Sequence, residues 1–276
     1  AVLSGKGGAG KTLVATGLAC AAGRAVYIDC DVEEPNGRLF LKPENTASRP
    51  VTKKMPAFDR EKCSGCRKCV EHCRFNALVL VKGAPMLFDE VCHSCGVCAY
   101  VCPEGAVSET EREVGAVETG MSGEIKVATG ELKLGEATGV PVIAAALAEA
   151  GPEDGLTVID CPPGSACPVM ESAREADYCV LVTEPTAFGL HDLRLVVELM
   201  RVLKKPCGVV INKAGAEYPE LEHYLEAESL PVLARIPYSE KLAAVGARGA
   251  LAYREDGEAR SIFDALLSRI WKEARA

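Results

Sequence analysis

The sequence predicts an α/β fold with a doubly wound, mostly parallel sheet and a small α+β unit inserted into it. Three observations predict this. A glycine-rich loop, Ser4–Thr12, lies between a strand end and an Ala-rich helical stretch. Farther on, short apolar runs ending in Asp, Asn or Pro alternate with helical patterns, as parallel strands buried on both faces do. Between Cys63 and Cys102 that alternation stops, and eight of the chain's fourteen cysteines fall there.

The loop comes first. Gly5 to Thr12 read G-x-x-x-x-G-K-T, a phosphate-binding P-loop. Its glycines, Gly7, Gly8 and Gly10, with Ala9 between them, let backbone N–H groups nest around phosphate oxygens. Lys11 supplies charge to the β- and γ-phosphates, and Thr12 offers a hydroxyl to Mg²⁺. Leu13–Ala22 follow as the helix whose N-terminus faces the anion. Ala1–Leu3 is short for a central strand and reads as one clipped at its start.

Ala25–Ile28 reads as a buried strand ending in Asp29-Cys30-Asp31, and Leu39–Leu41 as a short strand. From Lys42 to Pro56 prolines and scattered charges mark the exit into the insert. The predicted division is 1–55 with 108–276 for the sheet domain and 56–107 for the insert. Ala77–Val81 and Met86–Phe88 read as short strands within it. Beyond it, Arg112–Val117 and Glu124–Ala128 predict a hairpin around Thr119–Gly123. Val140–Ala150 reads as a helix. Strands follow at Leu156–Ile159, Cys179–Val182, Val209–Ile211 and Val232–Ile236, with helices at Leu190–Leu203, Glu240–Arg248 and Glu258–Lys272.

Composition narrows the function. The 276 residues carry a net charge of −8 with a pI near 5.2, which disfavours nucleic acid as a main partner. No apolar run is long enough to span a bilayer and no signal peptide is visible, so a cytoplasmic protein is expected. Fourteen cysteines in that setting read as metal ligands rather than disulfides.

Cys63–Cys73 is C-x₂-C-x₂-C-x₃-C, and Cys92–Cys102 repeats the spacing and ends in Cys102-Pro103. C-x₂-C also suits zinc, but a zinc site needs four ligands and not two eleven-residue copies. The tandem spacing resembles that of bacterial two-cluster ferredoxins, in which the fourth cysteine of each run serves the other cluster. That resemblance implies one 4Fe–4S cluster on Cys63, Cys66, Cys69 and Cys102, and another on Cys92, Cys95, Cys98 and Cys73. Arg74 follows Cys73 where the second copy has a proline, which implies different hydrogen bonding at the second cluster. His72 and His93 read as solvated loop residues.

Asp31 and Asp160 end strands expected beside the P-loop. Asp160 heads D-x-P-P-G, where a carboxylate can hold the Mg²⁺ hydration shell and Gly164 lets the loop move. Lys6 to Thr12, KGGAGKT, resembles the deviant-P-loop ATPases of the MinD/ParA/nitrogenase-iron-protein superfamily. The combination resembles members of that superfamily with an inserted ferredoxin domain. The resemblance implies that Asp31 lies in switch I and orients or deprotonates the attacking water, while Asp160 begins switch II. It implies that Lys6 reaches a partner's phosphates across an ATP-dependent homodimer, that Asn212 bonds the adenine, and that Pro237 and Tyr238 pack on it.

In the nitrogenase iron protein a cysteine at the place of Cys167 ligates a shared cluster. This chain lacks the second cysteine upstream, so Cys167 reads as a thiol in a mobile loop. Cys20, Cys30, Cys179 and Cys207 read as core. The C-terminal helix carries Ile262, Phe263, Leu266, Leu267, Ile270 and Trp271. Glu258, Asp264 and Glu273 dilute its basic residues, so it is expected to dock on the core rather than on a membrane. The expected activity is ATP hydrolysis in a protein that uses ATP, Mg²⁺ and two 4Fe–4S clusters to couple a nucleotide switch to electron transfer. Its partner would be a redox or cluster-accepting protein. The alternatives are a nucleotide-controlled cluster scaffold or carrier, and a MinD-like positioning ATPase with structural clusters.

Overall fold

The computed structural model describes residues 1–151, 155–215 and 217–275. Along the chain run β1 (Val2–Leu3), α1 (Lys11–Ala22), β2 (Ala25–Asp29), α2 (Gly37–Leu41), β3 (Glu44–Phe58), α3 (Lys68–Glu71), β4 (Leu78–Val81) and β5 (Ala84–Leu87). Then come α4 (Val97–Tyr100), β6 (Val107–Ser122), β7 (Ile125–Leu132), α5 (Val140–Leu147), β8 (Leu156–Asp160), α6 (Cys167–Ala173), β9 (Cys179–Thr183) and α7 (Ala187–Leu203). The chain continues with β10 (Cys207–Ala214), α8 (Pro219–Ala227), β11 (Val232–Pro237), α9 (Glu240–Ala247), α10 (Ala252–Glu255) and α11 (Gly257–Glu273).

Nine strands form one sheet in the order β11-β10-β9-β1-β8-β2-β7-β6-β3. From β11 to β7 every pairing is parallel, while β6 and β3 add an antiparallel edge. β2 and β9 are buried along their whole length, which is why they read as unbroken apolar runs. One face packs with Val142, Val169, Leu193 and Leu221 of α5 to α8. The other packs with α1 and α11, where Phe263 and Leu266 are sealed. A Cβ on Gly17 would come within 2.6 Å of the Phe263 ring, so α1 and α11 approach as closely as they do only because that position is glycine. The C-terminal helix thus docks on the core, as expected.

One expectation fails. Leu39–Leu41 is the end of helix α2, not a strand. The Gly37 amide donates to Asp29 Oδ2 at 2.8 Å, and a side chain at Gly37 would strike the Tyr27 ring, so this turn is fixed by contacts remote in sequence. The exit over Lys42–Pro56 takes the form of a continuous strand, Glu44–Phe58. It tolerates Pro50 and Pro56 because it is the edge strand, paired on one side only. The hairpin is present but longer, with β6 running to Ser122 and the turn at Gly123-Glu124. α5 ends at Leu147 rather than Ala150.

β6 pairs with both β3 and β7 between Gly115 and Met121, and with β3 alone from Glu113 back to Val107. At the point of departure the register shifts, Val51 facing Gly115 and Thr52 facing Glu113. Val114 is the extra residue of this bulge, and its carbonyl accepts from the Lys133 amide at 2.9 Å. The two-strand ribbon then carries residues 59–106, which hold α3, α4 and the β4–β5 hairpin.

Those residues repeat their backbone at an offset of 29, as from Cys73 to Cys102. Left-handed residues recur at Gly65 and Ser94, at Arg67 and Gly96, and at Asn76 and Gly105. The halves also exchange backbone bonds, Asp59 N to Ala106 O and Phe88 N to Ala77 O, each 2.8 Å.

Candidate functional site

The P-loop turns through left-handed Gly8 (φ 78°) and Gly10 (φ 100°) into α1. Beside it opens a cavity of about 950 Å³, lined by Gly7, Gly8, Gly10, Lys11 and Thr12, by Asp31 to Glu34, by Leu132 to Glu136, and by Pro162 and Pro163. A nucleotide fits such a volume. The Gly164 amide donates to the Ser4 carbonyl at 2.9 Å, tying the D-x-P-P-G loop to the P-loop.

Asp31 lies on the cavity wall. Burial pushes its carboxyl up to about 6, with the Lys11 ammonium opposing and Asp160 adding to the rise. Asp160 is sealed at the end of β8. It accepts a hydrogen bond from the Tyr27 hydroxyl at 2.8 Å, and the Thr12 hydroxyl lies against it. Burial raises its pKa, and these hydroxyls and Lys11 counter the rise. Its Oδ1 has no hydrogen-bond partner among the described residues. An orphaned, buried carboxylate oxygen beside a threonine hydroxyl is a donor set that fits hydrated Mg²⁺.

Three participants were not singled out in the sequence. Asp29 faces Asp160 in register across β2 and β8. It accepts from the amides of Gly37 and Asp31, and burial, followed by the Asp160 charge, raises its pKa well above the usual range. Its place at a strand end was the same signal that marked Asp31. Tyr27 carried no signal beyond its strand. Glu184 directly follows β9 and holds two lysines, Lys6 Nζ at 3.3 Å and Lys213 Nζ at 2.6 Å. Burial pushes its carboxyl up, but Lys213 and Lys6 outweigh that and hold it low. Lys213 also donates to the Gly8 carbonyl at 3.2 Å.

Asn212 and Pro237 are not on the cavity wall. Asn212 is buried and its amide donates to the Ala9 carbonyl at 2.8 Å, so it braces the P-loop. A Cβ on Gly10 would lie 2.2 Å from that amide nitrogen. Pro237 and Tyr238 are exposed at the end of β11. Cys167 is exposed at the start of α6, whereas Cys161 is buried and cannot join it at the surface. Cys30 and Cys179 are buried, and Cys20 and Cys207 half-buried.

The eight paired cysteines ring two separate cavities. Cys63, Cys66, Cys69 and Cys102 line one, and Cys73, Cys92, Cys95 and Cys98 line the other. Each is a small cavity of about 20 Å³. In each, the sulfur of the fourth cysteine accepts a backbone amide at 3.3 Å, Ala106 N to Cys102 and Ala77 N to Cys73. The expected difference in hydrogen bonding at Arg74 is therefore not seen at this sulfur. Among the described residues no three His, Cys, Asp or Glu side chains converge where a single metal ion would sit. His93 stacks on Phe75 at 4.0 Å, and His72 is exposed.

The sequence family described as the CobQ/CobB/MinD/ParA nucleotide-binding domain matches residues 1–252. The chain belongs to that family. A Methanocaldococcus jannaschii relative, the uncharacterized protein MJ0578, is 30% identical over 219 residues, covering 78% of each chain. An uncharacterized ferredoxin of the same organism, MJ0722, is 42% identical over 53 residues, 18% of this chain and 69% of that one. The septum site-determining protein MinD of Pyrococcus horikoshii, solved with Mg-ADP, aligns at a TM-score of 0.62 and 17% identity over 99% of this chain and 95% of its own. The MinD-like fold and the CobQ/CobB/MinD/ParA nucleotide-binding domain are thus shared. Among the described residues no helix is long and apolar enough to cross a membrane.

Proposed function

We propose that this family member binds and hydrolyses ATP, and that residues 56–107 are an inserted unit holding two 4Fe–4S clusters whose electron transfer is coupled to the nucleotide. The observation that carries the reading is the pairing of thiols around the two cavities, each drawing its fourth cysteine from the other half of the repeat. Four thiols spread over a cavity wall suit a polynuclear cluster, each iron taking one, better than one ion that would draw all four together. When bound, such clusters supply one-electron transfer.

The residues divide the nucleotide work. Lys11 neutralises the β- and γ-phosphates, and Thr12 with the free Oδ1 of Asp160 would hold Mg²⁺. Asp31, on the cavity wall with a carboxyl pushed up to about 6, is suited to accept the proton of an attacking water near neutral pH. Lys6 is held within its own chain by Glu184, and ATP-dependent dimerisation would free it to reach the partner's phosphates.

Coupling has a physical route. Glu136 lines the nucleotide cavity, and its carboxylate pairs with Lys53 of β3 at 2.9 Å. Lys53 in turn donates to the carbonyl of Cys92 at 3.2 Å. One observation favours a second reading, cluster delivery: Cys66 and Cys95 are exposed, as a labile cluster requires. The deciding experiment purifies the protein anaerobically, assays iron and sulfide, and titrates its potential with and without ATP. Two cubane clusters and a potential that shifts with ATP are expected. Absence of sulfide would end the cluster assignment, and clusters lost to an apo-acceptor on adding nucleotide would favour delivery.

A further inference from the structure

We propose that the loop around Cys66 is the docking face for an acidic one-electron carrier protein. The proposal rests on the electron-transfer reading above. The internal repeat supplies its own control, because positions 29 apart hold equivalent places. Arg60, Lys62, Arg67, Lys68 and Arg74 of the first half have as counterparts Asp89, Val91, Gly96, Val97 and Pro103. All five basic residues are exposed. Among the described residues only Lys62 of the five is in an ion pair, with Asp59 at 3.3 Å. In a chain of net charge −8, this group of cations is set in an otherwise acidic protein.

The two halves also face differently. The second loop leans on the ribbon: Lys53 donates to the Cys92 carbonyl, and the Ser94 hydroxyl lies 3.4 Å from the Met55 sulfur. Cys66 and its counterpart Cys95 are both exposed, but only Cys66 is followed by two exposed cations, Arg67 and Lys68, where the second loop has Gly96 and Val97. Asp59, Glu61 and Glu71 lie among these cations, so the first half keeps a positive excess, with Arg67 on the wall of its cavity, while the second loop is tied to the ribbon. Such a face steers an acidic protein to the point where its redox centre comes nearest the thiols. The carrier would give up one electron, its own centre rising by one charge, and the group held by Cys63, Cys66, Cys69 and Cys102 would pass from the 2+ to the 1+ core. No proton moves and no bond is made.

The test uses the full chain, purified anaerobically and reduced with dithionite. It is mixed by stopped flow with anionic ferricyanide or cationic hexaammineruthenium(III) at low and high salt. The ferricyanide rate is expected to fall about tenfold as salt rises, against the repulsion that the net charge alone would give. The Arg67→Glu/Lys68→Glu/Arg74→Glu variant should reverse that slope. A control of equal charge change, Lys204→Glu/Arg248→Glu/Lys272→Glu, should keep it. In parallel, fluorescein-labelled polyglutamate should bind the wild type and the control at low salt, but not the first variant. A ferricyanide rate that rises with salt in the wild type, polyglutamate binding equal in all three proteins, or tighter binding of oligothymidylate than of polyglutamate would each overturn the proposal. If the chain holds no reducible iron, the electron-transfer reading falls on that result alone, and the polyglutamate titration still reports on the surface.

Discussion

Lys53 and Glu136 form an ion pair of 2.9 Å in which the two side chains keep only 5% and 7% of their exposure. Arg112 also reaches Glu136, and its other arm holds Asp89 at 2.9 Å, just before the second cysteine loop. A charge pair this deep is costly to desolvate and costly to break.

Replacing one partner should therefore show in both stability and coupling. Lys53→Met leaves Glu136 with Arg112 alone and should cost about 3 kcal/mol. Thermal unfolding of the wild type and variant checks the first effect. ATP affinity measured with clusters oxidised and then reduced checks the second, since coupling is reciprocal. The wild type should give two affinities, and Lys53→Met should bring them together.

Lys11→Ala removes the charge that faces the phosphates and should abolish Mg-ATP binding by calorimetry, while leaving the absorbance of the cysteine-bound groups unchanged.

Asp31 supplies a pH signature. Its folded carboxyl is raised from 3.8 to about 6, so the folded state binds the proton more tightly than the unfolded chain. The stability it contributes is full below pH 4 and is lost as pH rises through 6. Asp31→Asn should remove that part of the slope between pH 4 and 6 in nucleotide-free protein, measured by denaturant unfolding at each pH. At pH 7.5 the same variant should bind ATP and turn it over at least tenfold more slowly.

Cys66→Ser should lower iron and sulfide by about half, as loss of one of two clusters requires, and leave ADP affinity intact. Cys167→Ser, at an exposed site away from both thiol-lined cavities, should change neither quantity.

Glu184→Gln should release Lys6 and Lys213 from their shared carboxylate. Sedimentation with ATP should show dimers at lower protein concentration than for the wild type. An unchanged dimerisation curve would mean that Glu184 does not restrain Lys6.

The legible parts of the chain were those in which local chemistry determines local form. Gly8 and Gly10 announce the P-loop because its turn needs left-handed residues, and β2, β8 and β9 announce themselves as apolar runs. The resemblance of the cysteine runs to two-cluster ferredoxins implied the two sets of thiols that each line one cavity. What was hidden depends on distant partners. β3 alternates buried Val51, Lys53 and Met55 with exposed neighbours, yet a lysine at a buried position breaks the apolar pattern unless Glu136 is known. The hydrogen bond from the Asn212 amide to the Ala9 carbonyl, more than two hundred residues away in sequence, was likewise not legible.

The bulge at Val114 has a mechanical meaning. A sheet of nine strands resists bending, whereas a ribbon of two twists readily, and the change from one to the other occurs at that residue. Torque applied by the nucleotide cavity through Glu136 would act close to this joint rather than at the far end. The ribbon from Thr52 to Phe58 spans roughly 20 Å, so a few degrees of rotation at the joint would swing residues 59–106 by an ångström or more. The protein would then work as a tone arm does, a small movement at the pivot setting where the stylus rests.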